Sequence, residues 1–211
     1  RFWNVINYFF PYKHLIEEPW NGVLTRYIPK FEANKDAVDY QTTLYELASE
    51  THDSHVSVRN ANKFWVKLGT FSAPVRLSYI EKQTVVTAVF DGNAGVKVGE
   101  VVTAIDDVPI KQRREYFANL LPASTPQSLA SRVDYSLLLG PKDSQAKLSV
   151  RGLDGTTRNV SVPRTLSMDD PKVYETAQRP GPVVQVLPSG FGYVDLERLQ
   201  VAEVNQMFET I

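Results

Sequence analysis

The chain has 211 residues, 43% hydrophobic and 22% charged, with a formal net charge of −1; this is an ordinary globular composition, large enough for one big core or two smaller ones. Near-neutral charge with both signs interspersed excludes the basic footprint of nucleic-acid binding and a polyelectrolyte tail. The absence of cysteine removes disulfides, thiol nucleophiles and cysteine–zinc sites, and fits a cytosolic or an extracytoplasmic setting.

No apolar run approaches the roughly 20 residues of a membrane span. The chain opens at Arg1 without Met or a signal-peptide pattern, and its last helix-like residues stop at Ile211 without a cap, so both ends read as cuts. In the first stretch Phe2, Trp3, Ile6, Phe9 and Phe10 recur at helical spacing and Pro11 follows, which predicts a helix ending at about residue 10. Glu17, Glu18 and Pro19 have the chemistry of a helix start. Trp20, Val23, Leu24, Tyr27 and Ile28 then give the apolar face of a second helix, predicted to end near Pro29. Asn34 is the expected N-cap of a third helix, with Ala37, Tyr40, Leu44, Leu47 and Ala48 as its stripe. These aromatics could form a ligand cage, but core packing is the better reading, because aromatics dominate cores.

The third helix leads into His52-Asp53-Ser54-His55, where two of the three histidines of the chain meet an acid and a hydroxyl. As an i, i+3 pair on a helix face, His52 and His55 could begin a metal site, but no HExxH pattern or further Cys/His partner completes it, so no metal is expected. One histidine could instead be a general base, since imidazole titrates near neutrality. Equally, histidines at a helix C-terminus interact well with its exposed carbonyls. A complete triad inside four residues fails on geometry, and no GxSxG elbow appears.

From Val75 the pattern changes to short β-runs, over 75–80 and 84–90. Gly95 to Ile110 then reads as a glycine-flanked turn, an alternating strand, a two-residue turn at Asp106-Asp107 and another short strand. Residues 125–139 form a predicted helix, with Leu129, Val133 and Leu137 on one face. Strands over 146–150 and 158–162 pair around Asp154-Gly155, a hairpin signal. The stretch from Gly95 to Ile110 resembles the PDZ signature, with Asp107 where that family usually has Gly. PDZ domains add a peptide as a strand to a sheet edge. The resemblance implies a groove between 75–80 and 127–139 with Leu77, Tyr79, Leu129 and Val133 as walls, residues that must also supply a small core. In place of the family's carboxylate-binding glycine loop stands Phe71-Ser72-Ala73-Pro74, in which Pro74 offers no N–H; a gate or scaffold role is the alternative to carboxylate capture.

Residues 167–182, with Asp170-Pro171 and Pro180-Gly181-Pro182, read as a linker. Gly190-Phe191-Gly192-Tyr193-Val194-Asp195-Leu196 follows as a further strand. Taken with Phe2-Trp3-Asn4, Tyr8-Phe9-Phe10-Pro11-Tyr12 and Asp53-Ser54-His55-Val56, the chain resembles the tail-specific (C-terminal processing) serine proteases, in their tricorn-like branch, over nearly its whole length. That resemblance implies an α+β, multidomain chain. Its parts are a helical segment with a short β-hairpin over 1–72, a PDZ-like, partly open β-barrel with helices over 73–166, a linker over 167–182 and the first strands and helix of an α/β protease core over 183–211. It makes His55 the general base and Ser54 part of the active-site network, with the nucleophilic serine and an orienting acid beyond Ile211. It implies no cofactor, a polypeptide substrate or its C-terminus as partner, and a periplasmic or secreted setting, and it leaves oligomerisation open. On this reading the chain alone is inactive; the runner-up is a non-catalytic PDZ-based peptide-binding module.

Overall fold

A computed structural model describes residues 1–16, 18–170 and 181–211. The expected helix start at Glu17 and the central part of the expected linker, 171–180, lie outside the described residues. Chain contacts divide the protein into two compact units, Arg1–Glu175 and Thr176–Ile211, and the fold is α+β.

In the first unit, α1 (Phe2–Phe9) is followed by Pro11, as its sequence dictates. It packs on α2 (Trp20–Glu32) through Ile6, Trp20, Val23 and Tyr27. The two tryptophans are cross-linked, since Trp3 Nε1 donates to the Trp20 carbonyl at 2.9 Å and Trp20 Nε1 to the Trp3 carbonyl at 3.0 Å. Leu24 and Ile28 stay substantially exposed. Pro29 does not end α2, which runs on to Glu32: a proline removes its own N–H but not its carbonyl, and that carbonyl accepts from Ala33.

The cap of α3 (Ala37–Ser49) is Asp36, not Asn34: its carboxylate accepts from the N–H groups of Val38 and Asp39, while Asn34 accepts from the Thr43 hydroxyl. The expected stripe is also rotated. Ala37 and Tyr40 are exposed, whereas Thr43, Tyr45, Leu47 and Ala48 are buried. The cause is a second partner, α4 (Asn62–Leu68), which its sequence did not announce. Tyr45, Phe64 and Trp65 form a cluster of tilted and edge-on rings, sealed by a 2.8 Å bond from Trp65 Nε1 to the Tyr45 hydroxyl. Gly69 ends α4 at φ 91°, with the Gly140 backbone so close that a Cβ there would lie 1.9 Å from its carbonyl carbon. Among the described residues of 1–72 no hairpin forms; β1 (Phe71–Ser72) pairs instead with the distant β8 (Leu166–Ser167).

The sheet comprises β2 (Val75–Ile80), β3 (Gln83–Val89), β4 (Val101–Ile105), β5 (Val108–Pro109), β6 (Gln145–Arg151) and β7 (Thr157–Pro163), in the order β2-β3-β4-β6-β7 with β5 beside β4. Every pairing is antiparallel, and β2 and β7 are open edges. Among the described residues the sheet does not close into a barrel. Its turns carry the predicted chemistry: Ile105 faces Val108 across Asp106 and Asp107 at φ 51° and 64°, the two positive values of a type I′ hairpin. Residue 110, expected to continue a strand, begins the helix α5 (Ile110–Ala118). Thr125 caps α6 (Pro126–Ser136), with Pro126 in the first turn. Val86, Val102, Ile105, Leu137, Leu148, Val150 and Val162 fill the core between sheet and helices.

The second unit holds an antiparallel hairpin of β9 (Val184–Val186) and β10 (Gly192–Val194), a 3-10 turn at Val201–Glu203 and α7 (Val204–Thr210). Asp195 is buried at the end of β10 and pairs with Arg198 at 2.9 Å. No helix among the described residues is long and apolar enough to cross a membrane.

Candidate active site and peptide groove

The end of α3 builds the histidine segment. Thr51 Oγ1 donates to the Ala48 carbonyl and the His52 N–H to Ser49, and His52 then turns the chain at φ 48°. His52 and His55 therefore share no helix face, and the premise of a paired metal site is gone. Asp53 Oδ1 accepts from the His55 N–H at 2.9 Å and also lies 2.9 Å from His55 Nδ1. An ionised carboxylate there puts the ring proton on Nδ1 and leaves Nε2 as the basic nitrogen. The backbone N–H of His55 holds the Asp53 carboxyl below its usual range; the bond and charge of the ring act in the same direction, against the opposing effect of burial. The His55 side chain itself is 94% exposed, so its open face is available to a reacting group.

Ser54 is turned the other way. Its N–H donates to Ser124 Oγ at 2.9 Å, and the Ser124 N–H donates back to Ser54 Oγ at 2.9 Å. The Ser54 hydroxyl also lies 3.2 Å from that of Ser128, and its carbonyl accepts from Arg132 Nη2 at 2.7 Å. Backbone and side chain of this residue are thus fastened to α6 and to the loop before it. Among the described residues no serine or threonine hydroxyl is hydrogen-bonded to the His55 ring.

His52, Asp53 and His55 border a cleft of about 590 Å³ whose apolar walls are Phe10, Tyr12, Leu15, Ala123 and Leu129. A second opening, about 490 Å³, runs between the edge strand β2 and α6. Its α6 wall is Pro126, Gln127, Ala130, Ser131, Asp134 and Tyr135, centred on the i, i+3, i+4, i+7 face that Gln127 begins. The four residues expected to wall this groove separate: Leu77 and Tyr79 line it, Val133 is 2% exposed inside the core, and Leu129 faces the histidine cleft instead.

Sequence reasoning missed Asp53 as the partner of His55, together with Ser124, Ser128 and Arg132. The spacing of 128 and 132 puts both on one helical face, which is visible in the sequence; that this face meets Ser54 is a contact across some 70 positions, which is not.

No family model and no curated sequence matches the chain. Among solved structures it is similar to mature CPAF, at 16% identity and a TM-score of 0.54 over 72% of this chain and 29% of that one. The likeness extends to CPAF complexed with lactacystin, at 13% identity and a TM-score of 0.54 over 77% of this chain and 33% of that one. Photosystem II D1 C-terminal processing protease aligns at 18% identity and a TM-score of 0.37, over 80% of this chain and 43% of that one. The chain thus spans about a third of the CPAF chains it matches. At these identities the likeness to CPAF is one of fold alone.

Proposed function

We propose that residues 1–211 are the front portion of a serine peptidase of the tail-specific type, in its tricorn-like branch. In this reading His55 is the general base, 73–166 is a PDZ-like peptide-binding domain, 183–211 opens the protease core and the nucleophilic serine lies beyond Ile211. The observation that carries it is the Asp53–His55 pair at the mouth of the apolar cleft. A base must be held in one tautomer with its other nitrogen accessible, and Asp53 supplies that hold. His55 Nε2 would take the serine proton as oxygen attacks the peptide carbonyl and return it to the leaving amine. Ser54, tied to Ser124 and Arg132, would be a positioning residue for this loop. The CPAF-like fold supports the reading, and the resemblance adds a periplasmic or secreted setting.

The near-complete exposure of the His55 ring also fits a second reading, a PDZ-based peptide-binding module without chemistry. A fluorophosphonate probe separates the two. The expected result is no labelling of residues 1–211 alone, labelling of the product of the full reading frame, and loss of that labelling in its His55→Ala variant. Stoichiometric labelling of 1–211, or a full-length protein that reacts equally without His55, would overturn the proposal.

A further inference from the structure

An edge strand offers its outward N–H groups to any extended chain that can lie beside it. In β2 one such group is already taken. Tyr79 is paired with Thr84 of β3 on its inner side, and its N–H donates out of the sheet to Asp134 Oδ2 of α6 at 2.9 Å. The other oxygen of that carboxylate, Oδ1, lies 2.5 Å from Arg114 Nη1 of α5. The Arg114 guanidinium in turn lies 4.1 Å from the centroid of the Tyr79 ring and donates to Thr84 Oγ1 at 3.3 Å. Both members of the ion pair are well shielded, with side chains 14% and 11% exposed. A single carboxylate thus spans the groove, with a strand N–H on one oxygen and an arginine on the other.

We infer that Asp134 is a built-in occupant of the β2/α6 groove, and that the ligand which replaces it is an extended peptide whose own carboxylate takes over the Tyr79 N–H and Arg114. This rests on the reading of the groove as a peptide site. A neutral peptide strand could satisfy the Tyr79 N–H through a carbonyl, but would leave a shielded guanidinium without its anion, which is costly. A carboxylate replaces both bonds at once. Burial, the largest influence on Asp134, pushes its carboxyl above the usual range, so this side chain regains hydration when it is displaced. Pro74 in the loop ahead of β2 brings no N–H donor, and Arg114 supplies the anion receptor from α5 instead. The shared chemistry is the carboxylate; it can come from a peptide C-terminus or from an Asp or Glu side chain.

The test uses isotope-labelled residues 1–211 and octapeptides of one alternating Val/Thr sequence carrying a neutral N-terminal fluorophore. One has a free C-terminus, one a C-terminal amide, and one the amide plus a single internal Asp. Binding is read by anisotropy and the Tyr79 amide by NMR, in the wild type, Asp134→Ala, Asp134→Val and Asp134→Ala/Arg114→Gln. The expected result is release of the Tyr79 amide in Asp134→Ala. At least one acidic peptide should then bind about tenfold tighter than the amide, and about tenfold tighter than it binds the wild type. Arg114→Gln should erase that preference, and the acidic peptide that gains identifies the source of the carboxylate. If Asp134→Ala does not fold, Asp134→Val, which has no acceptor for the Tyr79 N–H, gives the same comparison without leaving a cavity. Equal binding of acidic and neutral peptides by wild type and variant overturns the role of Asp134 while leaving the groove as a peptide site. Failure of every peptide to bind a variant whose Tyr79 amide is released overturns the peptide groove itself.

Discussion

Replacing Arg132 with Met tests whether α6 holds the His55 loop. Arg132 Nη2 donates to the Ser54 carbonyl at 2.7 Å from a partly buried position, and Met keeps most of the apolar stem while removing the donor. A hydrogen bond from a charged donor contributes roughly 1.5–3 kcal/mol when buried; partial exposure lowers this to about 1–2 kcal/mol. For a unit of this size that corresponds to a Tm lower by about 2–8 °C. Tryptophan fluorescence is a suited readout, because Trp3, Trp20 and Trp65 all lie in the first compact unit. Stability alone would not separate a clamp from any other lost contact, so the ring of His55 supplies the second readout. With Ser54 loosened, the 2.9 Å contact from Asp53 to Nδ1 should be populated less, and the imidazole nitrogen shifts should move toward a mixture of tautomers. Ser124→Ala, which removes the bond from the Ser54 N–H, should act in the same direction. The two substitutions should be coupled by about 0.5 kcal/mol or more in a double-mutant cycle, since they hold one residue. A variant that loses the expected stability while His55 spectra stay unchanged, with strict additivity in the cycle, would refute the clamp.

Gly69→Ala should be among the most damaging single changes, costing at least about 3 kcal/mol in urea unfolding: the residue sits at φ 91° and a Cβ would meet the Gly140–Pro141 backbone at 1.9–2.2 Å. Near-wild-type stability of that variant would mean the α4–β1 junction is placed wrongly. Asp53 gives a pH prediction with a definite sign. Its folded pKa is depressed, so its stabilisation is fully present above the ordinary carboxylate value of about 3.9 and disappears as pH falls through the lower folded value. Asp53→Asn retains an oxygen for the His55 N–H but no charge. The stability gap between wild type and variant should therefore shrink as the solution is acidified from about pH 5 to below pH 3, and a constant or widening gap would count against the assignment.

The parts of the fold written in local chemistry were readable in the residues. Alternating 75–80 became β2 residue for residue, the Asp106-Asp107 and Asp154-Gly155 turns lie between paired strands, and Thr125-Pro126 starts a helix. In each case neighbours within a few positions set the backbone, through side-chain alternation, tolerance of positive φ or a cap. Helices α4 and α5 were not legible. The first is a single short amphipathic piece stabilised by Tyr45 of another helix. The second is mostly polar, with only Phe117 buried, and its arginines serve distant partners: Arg113 donates to the carbonyls of Leu137 and Leu139, and Arg114 pairs with Asp134.

The site divides in the same way. Four consecutive residues, His52 to His55, marked it in the sequence, because clustered titratable groups at a helix end are a local signal. Which of them face one another was decided in three dimensions. The left-handed turn at His52 lets Asp53 reach the His55 ring, and α6, some 70 positions away, takes hold of Ser54 and so turns its hydroxyl elsewhere. The same helix puts Leu129 on the histidine cleft, Val133 in the core and Asp134 across the groove. Its periodicity fixes only that these residues point in different directions; what stands in each direction is set by the packing of the sheet and loop around it.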